Sequence, residues 1–502
     1  MKKILSAILV LLFIAACFVS CAEKEPVQGG SGTKKAELTT VEIANETEPE
    51  ETKEPTKAEI AQTFLDKIPD VKYNREFNVL CMQGVGNSEK EVWVENASDE
   101  PIDNAVYMRN TALYDKLGVT IVKHPVDVGT IFSEVQKDIK GNAHDYDLIM
   151  SNGNGTGTLA QSGYLYNYLD LADYINLDQE WWDPGTVRDC EINGKVFFMN
   201  GDINILDNDV TWILLFNKKL IKDYDLPEPY DLVTKGEWTL DRFYEMVSSE
   251  VSHPNSNNEY DENAYYGFIT TNGGGLTNFL YTCDMTTVKV TNGEPEIIIG
   301  DAKNVEKVTK ILEWCKKTIS DTHLTWFSVN NPAQTKEMFM TNHSLFYSEV
   351  MSYIVNLADM EYDFGVLPTP KYDADQKEYR THVDNVGSMI SIPSNLPDEK
   401  KEEVGYIIET LALYSYMYVT PAYYDVTLKR KKSRDADSQD MIDIILKSRV
   451  YDVGYIYSSI GLADMFKQLV TNGSTSFGSS YEKNKTKAAK ALKKIVDKYN
   501  KL

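Results

Sequence analysis

Carboxylate and amide side chains recur in short runs in this chain, and they set its chemistry. Asp207-Asn208-Asp209, Asp384-Asn385 and Glu349 offer fixed acceptors. Asn152 and Asn154 add neutral amides within Ser151-Asn152-Gly153-Asn154-Gly155-Thr156-Gly157. A hydroxyl-rich ligand needs acceptors and donors of this kind, while its apolar C–H faces stack on aromatic rings. Trp182 is an aromatic candidate, although the pair Trp181-Trp182 would equally fill a lobe interior. The glycines of the 151–157 run would let backbone groups approach a ligand closely. That run has no Gly-Lys-Ser/Thr ending and no basic residue nearby, so it is not a phosphate loop.

Bond-breaking chemistry leaves no comparable mark. The six histidines (124, 144, 253, 323, 343 and 382) share no i, i+4 spacing, and both HExxH and the G-x-S-x-G elbow are absent. Asp373-Ala374-Asp375 and Asp435-Ala436-Asp437 lack the glycine and the terminal glutamate of a calcium loop. The expectation is a binding protein with no catalytic residue, no metal and no cofactor.

The elements that must position these residues alternate. Residues 77–82, 119–122 and 145–151 read as strands, and residues 101–114 and 131–139 as the helices between them. The first helix shows Ala105, Val106, Met108 and Leu113 on its apolar side. A β-α-β-α-β order calls for a mainly parallel sheet, whose ligands bind beyond the carboxyl ends of the strands. That location points to the loop at 151–157. Further on, residues 210–216 form an apolar strand closed by Asn217-Lys218-Lys219, then a short helix with Leu220, Ile221 and Tyr224. A loop with Pro227 and Pro229 follows, and Thr239 caps a helix that buries Leu240, Phe243, Tyr244 and Val247. Residues 402–418 and 488–499 carry helical apolar faces.

The chain has 502 residues and a formal net charge of −25, so two large lobes are expected and nucleic acid and anionic lipid are repelled. No Lys/Arg-rich run flanked by aromatics offers a local exception. Lys2-Lys3 and the apolar run that follows form a secretion signal, and the small residues before a cysteine mark a lipidation site. Cys21 ends the apolar run; Cys17, after Ile14-Ala15-Ala16, is the alternative. Residues 22–70 read as an acidic, disordered tether, most plainly over 22–60, where no aromatic interrupts the Gly/Glu/Thr/Pro composition. Cys81, Cys190, Cys283 and Cys315 form no CxxC pair and are expected as buried thiols.

The order across 194–246 (loop, strand, Asn-Lys, helix, Pro loop, Trp238-Thr239, helix) resembles the extracellular solute-binding proteins of family 1, the sugar receptors of ABC importers. Leu159-Ala160-Gln161-Ser162-Gly163, residues 339–349, Gly365-Val366-Leu367-Pro368 and residues 386–393 resemble that family's later segments, so the likeness spans residues 74–500. It implies an α/β fold of the two-lobed periplasmic-binding type II, its lobes joined by crossing strands around a cleft. Residues 71–210 with 383–428 would form one lobe, and residues 211–382 with 429–502 the other. It further implies a monomeric lipoprotein, anchored on the outer face of the cell membrane, that hands a mono- or oligosaccharide to ABC permease subunits. The resemblance also implies that Trp212 and Phe477 sit near the cleft; the cleft-facing Trp of the family's maltose-binding type is replaced here by Tyr347-Ser348-Glu349, so maltodextrin is not implied. A surface sensor lipoprotein and an exported carbohydrate-active hydrolase, which would need paired carboxylates across a cleft, are the rival readings.

Overall fold

The computed structural model describes residues 55–319, 323–328, 331–429 and 436–502, all within one compact unit, Pro55–Leu502. Both candidate lipidation cysteines and residues 22–54 of the expected tether lie outside the described residues. The remainder of that tether is not a tether. Thr56 accepts the N–H of Glu59 and Glu59 reaches back to the Thr56 N–H, a capping box that starts the helix Lys57–Leu65. Ala61, Leu65 and Ile68 are buried, and the Phe64 ring meets Trp181 edge-on at 4.7 Å. The acidic composition masked three apolar residues at helical spacing.

Strands β1 (Arg75–Met82), β2 (Val119–Val126) and β3 (Leu148–Asn152) lie parallel, as the alternating pattern requires. The chain then passes into β4 (Trp212–Asn217) and β5 (Tyr266–Thr271), the hairpin β6 (Val288–Thr291) and β7 (Glu294–Ile297), and β8 (Thr325–Ser328). Next come β9 (Ser344–Val350), β10 (Phe364–Leu367), β11 (Thr381–His382), β12 (Ser388–Ser391) and β13 (Arg449–Val450). One sheet has the order β12-β3-β1-β2 and the other β10-β4-β9-β5-β8. The return strand β12 joins the first sheet antiparallel to β3, with Ser388 opposite Asn152.

Among the described residues, three passages connect the sheets. The first runs through Thr211 into β4 and the second through Val383 towards β12, and these two residues pair across the crossing. The third is helical. Lys401–Tyr414 packs Val404, Ile407, Ile408 and Leu411 into the core of the first sheet. A π-helical turn, Ser415–Val419, follows, and Thr420–Lys429 sends Tyr423 into the core beneath β4 and β9.

Local readings needed four corrections. Met108 is exposed, and the helix Pro101–Leu117 buries Arg109 instead, whose guanidinium donates to the carbonyls of Glu91 and Val92. Pro229 opens a short helix, Pro229–Thr234, where its missing N–H is not needed. Val210 precedes β4 rather than starting it. The glycine run after β3 is the first turn of the helix Gly153–Ser162. A Cβ at Gly157 would stand 2.8 Å from the Ile456 carbonyl oxygen, and one at Gly153 2.5 Å from Asn385 Oδ1. These glycines serve close packing of that helix.

Candidate functional site

A cavity of about 540 Å³ opens beyond the carboxyl ends of β1 and β9. Val85, Gly86 and Asn87 line it after β1, Met351 and Ser352 after β9, and Leu206 and Asp209 from the first passage. Tyr423 and Val426 of the third passage and Val386 of the second complete it. All three passages therefore contribute to one cavity, which is where two lobes sharing a parallel-sheet design leave room for a ligand.

Asp209 is the buried charge of this cavity. Asn87 Nδ2 donates to its Oδ2 at 2.7 Å, and the Tyr423 hydroxyl donates to Oδ1 at 3.0 Å. Burial still pushes its carboxyl up to about 6, against the pull of those two donors. Lys90, the lysine on the wall, is bonded to Asp103 at 3.0 Å. The lining thus offers carboxylates, a phenol and an amide, with its cation already engaged.

Two further carboxylates stand at the same crossing. Glu349, near the end of β9, accepts the Thr271 hydroxyl at 2.6 Å and its neighbouring Val350 N–H at 3.1 Å. Asp384 accepts the Val386 N–H at 3.1 Å, beside the indole of Trp212. Burial raises both carboxyls above their usual range, and the Asp384 charge adds repulsion at Glu349. Asn385 donates to the Tyr455 carbonyl at 2.8 Å and lies 2.9 Å from the Asn154 amide. That contact joins the helix after β3 to the segment around residue 455. Asp209, Glu349, Asp384, Asn385, Asn154 and Trp212 are therefore gathered at the crossing, although Trp212 is almost fully buried.

The other expected residues are spent elsewhere. Asp207 and Asn208 both bond Arg449 Nη1, at 3.1 and 2.8 Å, and Arg449 also pairs with Asp183 at 2.8 Å. Asp207 is fully buried in that network and does not line the cavity. Asn152 caps the helix that follows it, accepting the Gly155 N–H at 2.9 Å. Trp182 is sealed in the core of the first sheet, its indole N–H donating to Glu409 at 3.1 Å, as Trp181 does to the other oxygen. Phe477 is fully buried at the start of the last helix. The pull of these side chains toward packing and capping removes them from the cavity.

Asn87 and Tyr423 were not anticipated. Asn87 had a visible signal, because Gln83-Gly84-Val85-Gly86-Asn87 follows β1 just as the glycine run follows β3. Tyr423 had none, since only the path of the third passage brings it to Asp209. Glu91 is a third omission. Its Oε2 accepts the N–H groups of Ile205 at 2.7 Å and Leu206 at 2.9 Å, fixing the entry to the first passage. Burial pushes its carboxyl up to about 8.

No protein-family model matches the chain, and no curated protein matches it by sequence. Solved structures do. UspC of Mycobacterium tuberculosis aligns with a TM-score of 0.54 at 13% identity, covering 83% of this chain and 100% of that one. UgpB of the same organism, in complex with glycerophosphocholine, gives 0.51 at 13% identity, with 79% and 97% covered. The ABC substrate-binding protein Lmo0181 from Listeria monocytogenes, in complex with cycloalternan, gives 0.50 at 13% identity, with 84% and 99% covered. The fold is that of the two-lobed ABC solute-binding proteins. At this identity the likeness lies in the fold, and the ligands named are those of the other proteins.

Proposed function

We propose that this chain is the substrate-binding lipoprotein of an ABC importer and captures a carbohydrate-like solute between its two lobes. The cavity at the junction of three passages carries this reading. It lies where closure of one sheet unit on the other would surround a ligand, and its wall combines carboxylate acceptors with a tyrosine and an asparagine. Contacts made only in the closed form would shift the open–closed equilibrium, and a permease would recognise that form. No bond is made or broken in this scheme. The division into lobes at 210/211, 382/383 and 428/429 belongs to the same proposal, as does anchoring on the outer face of the cell membrane through a lipid on Cys21, with Cys17 as the alternative.

A thermal-shift screen tests the binding role. A solute bound only by the native state raises its apparent stability by RT ln(1 + [L]/Kd), about 2.7 kcal/mol at a hundredfold excess over Kd. Neutral mono- and oligosaccharides should produce such shifts, and phosphorylated or carboxylated sugars should not, because the cavity lysine is occupied by Asp103. Shifts confined to anionic solutes would defeat the carbohydrate reading. Cleavage products recovered from a shifted oligosaccharide would favour a hydrolase instead. Loss of fatty-acid incorporation in the Cys17→Ala/Cys21→Ala protein tests the anchor.

A further inference from the structure

The last helix, Phe477–Tyr499, carries a feature that solute capture does not use. Residues 477–502 hold eight lysines against Glu482 and Asp497, in a chain whose formal net charge is −25. In sequence these lysines are separated by up to three other residues, with only Lys493 and Lys494 adjacent, so they do not form a basic run. Folded as a helix, Lys483, Lys487, Lys490 and Lys494 fall within roughly 60° of one another, because a turn takes 3.6 residues. They form a straight row over about 16 Å of helix axis.

Two observations set this row apart from an ordinary solvated face. Its four lysines are exposed and make no ion pair among the described residues, whereas the two acids of the helix are used on its flank, Glu482 by Lys485 and Asp497 by Lys493. The row also lies on the side of the helix away from Phe477, Ala488, Leu492, Ile495 and Tyr499, which are buried. It is therefore an outward ridge of positive charge on an acidic protein, with Glu296 and Asp497 beside Lys490 in a surface cavity at its edge.

We propose that this ridge docks the protein on an anionic bilayer surface. A row of like charges on a convex helix fits a plane of many negative headgroups better than one acidic side chain or a single phosphate. The acidic remainder does not forbid the contact, since charges beyond about 8 Å are screened at physiological salt while the ridge itself would touch the surface. This inference stands on the charge row alone and goes beyond solute capture.

The test uses the chain from residue 22 onward, which carries no lipid and keeps the whole unit Pro55–Leu502. It is sedimented with vesicles of mixed phosphatidylglycerol and phosphatidylcholine, or of phosphatidylcholine alone. Binding should favour the anionic vesicles at least about tenfold at low salt and vanish near 0.5 M salt, as screened attraction requires. K483E/K487E/K490E/K494E should abolish it, and the fourfold Lys→Arg variant should retain it. Circular dichroism and solute-induced thermal shifts should be unchanged in both, which separates this proposal from the solute reading. Absence of binding by the unsubstituted protein, equal binding to both vesicle types, or full binding by the charge-reversed protein would overturn it. If the reversed protein is unfolded, the Lys→Ser variant at the same four positions decides in the same way.

Discussion

The Tyr423 hydroxyl donates to Asp209 at 3.0 Å, and this one bond joins the first and third passages between the sheets. It spans 214 positions of sequence and sits on the wall of the cavity. A bond between two passages feels any change in their relative position, so its loss should alter solute affinity more than fold. Tyr423→Phe removes a hydrogen bond to a charged group, worth about 1.5–3 kcal/mol. The expected result is a solute Kd raised by roughly 10- to 150-fold, measured calorimetrically, with little change in the melting temperature of the free protein. An unchanged Kd would place this bond outside the binding equilibrium.

Asp207 should behave in the opposite way from Asp209. Its carboxylate is buried against Arg449, and removing one partner of a buried pair leaves the other charge unpaired, at a cost of about 3–5 kcal/mol. Asp207→Ala should therefore lower the denaturation midpoint sharply, while the protein that remains folded keeps its solute affinity. Weakened binding at unaltered stability would return Asp207 to the cavity.

The start of the folded unit gives a third prediction. Leu65 is buried and anchors the helix Lys57–Leu65 against the first-sheet core. Leu65→Ala should destabilise by about 2–5 kcal/mol. Removing all residues before Val71 should cost more, because Phe64 leaves Trp181 as well. Equal urea midpoints for the full and shortened chains would show that this helix adds nothing.

The buried acids fix a direction for pH dependence. Glu91 is raised to about 8 and Asp202 to about 7, in both cases chiefly by burial. An acid whose pKa is higher folded than unfolded binds more protons in the native state, so stability falls as pH rises from the unfolded value through the folded one. His382, lowered to about 3 by burial, acts in the opposite sense only below its ordinary value of 6.5. The melting temperature should accordingly fall between about pH 6.5 and pH 8.5. Glu91→Gln keeps an acceptor for the Ile205 and Leu206 N–H groups and should flatten that slope. A melting temperature that climbs across this range would contradict the assignment.

Glycine packing supplies the last prediction. Gly157 faces a backbone carbonyl at a distance a Cβ cannot tolerate, while a Cβ at Gly129, near the start of the helix Val128–Gly141, meets nothing within 4 Å. Gly157→Ala should destabilise by about 1–3 kcal/mol through overpacking. Gly129→Ala should be neutral or stabilising by up to about 1 kcal/mol. Comparable melting temperatures for the two variants would remove close packing as the reason for the glycine run.

The fold was legible where local pattern and long-range structure agree. Alternation of strand and helix announced β1, β2 and β3, and Thr239 caps its helix as its position suggested, accepting the Arg242 N–H at 3.3 Å. The strand at 388–391 does return to the first sheet. The site was less legible, because a side chain's type does not reveal whether a distant partner has already consumed its bonding capacity. Asp207 and Asp209 look equivalent in sequence, yet Arg449, 242 positions away, takes the first, and Tyr423 meets the second at the cavity. Trp182 offered an aromatic face, but Glu409, 227 positions on, draws its indole into the core.

The π-helical turn Ser415–Val419 has a consequence for insertions and deletions. A π turn fits one more residue into the same rise than an α turn does. The surplus residue is absorbed there, so the two halves share an axis and the second half faces its neighbours as it would in an α-helix one residue shorter. Deleting one residue within 415–419 would let the helix run on as α, with both halves still helical. Everything beyond would keep its facing relative to what precedes it, because the turn would hold one residue fewer over the same rise. Tyr423 would still reach Asp209, whereas the same deletion in the α part, Lys401–Tyr414, would turn it away by about 100° although no cavity residue had been changed.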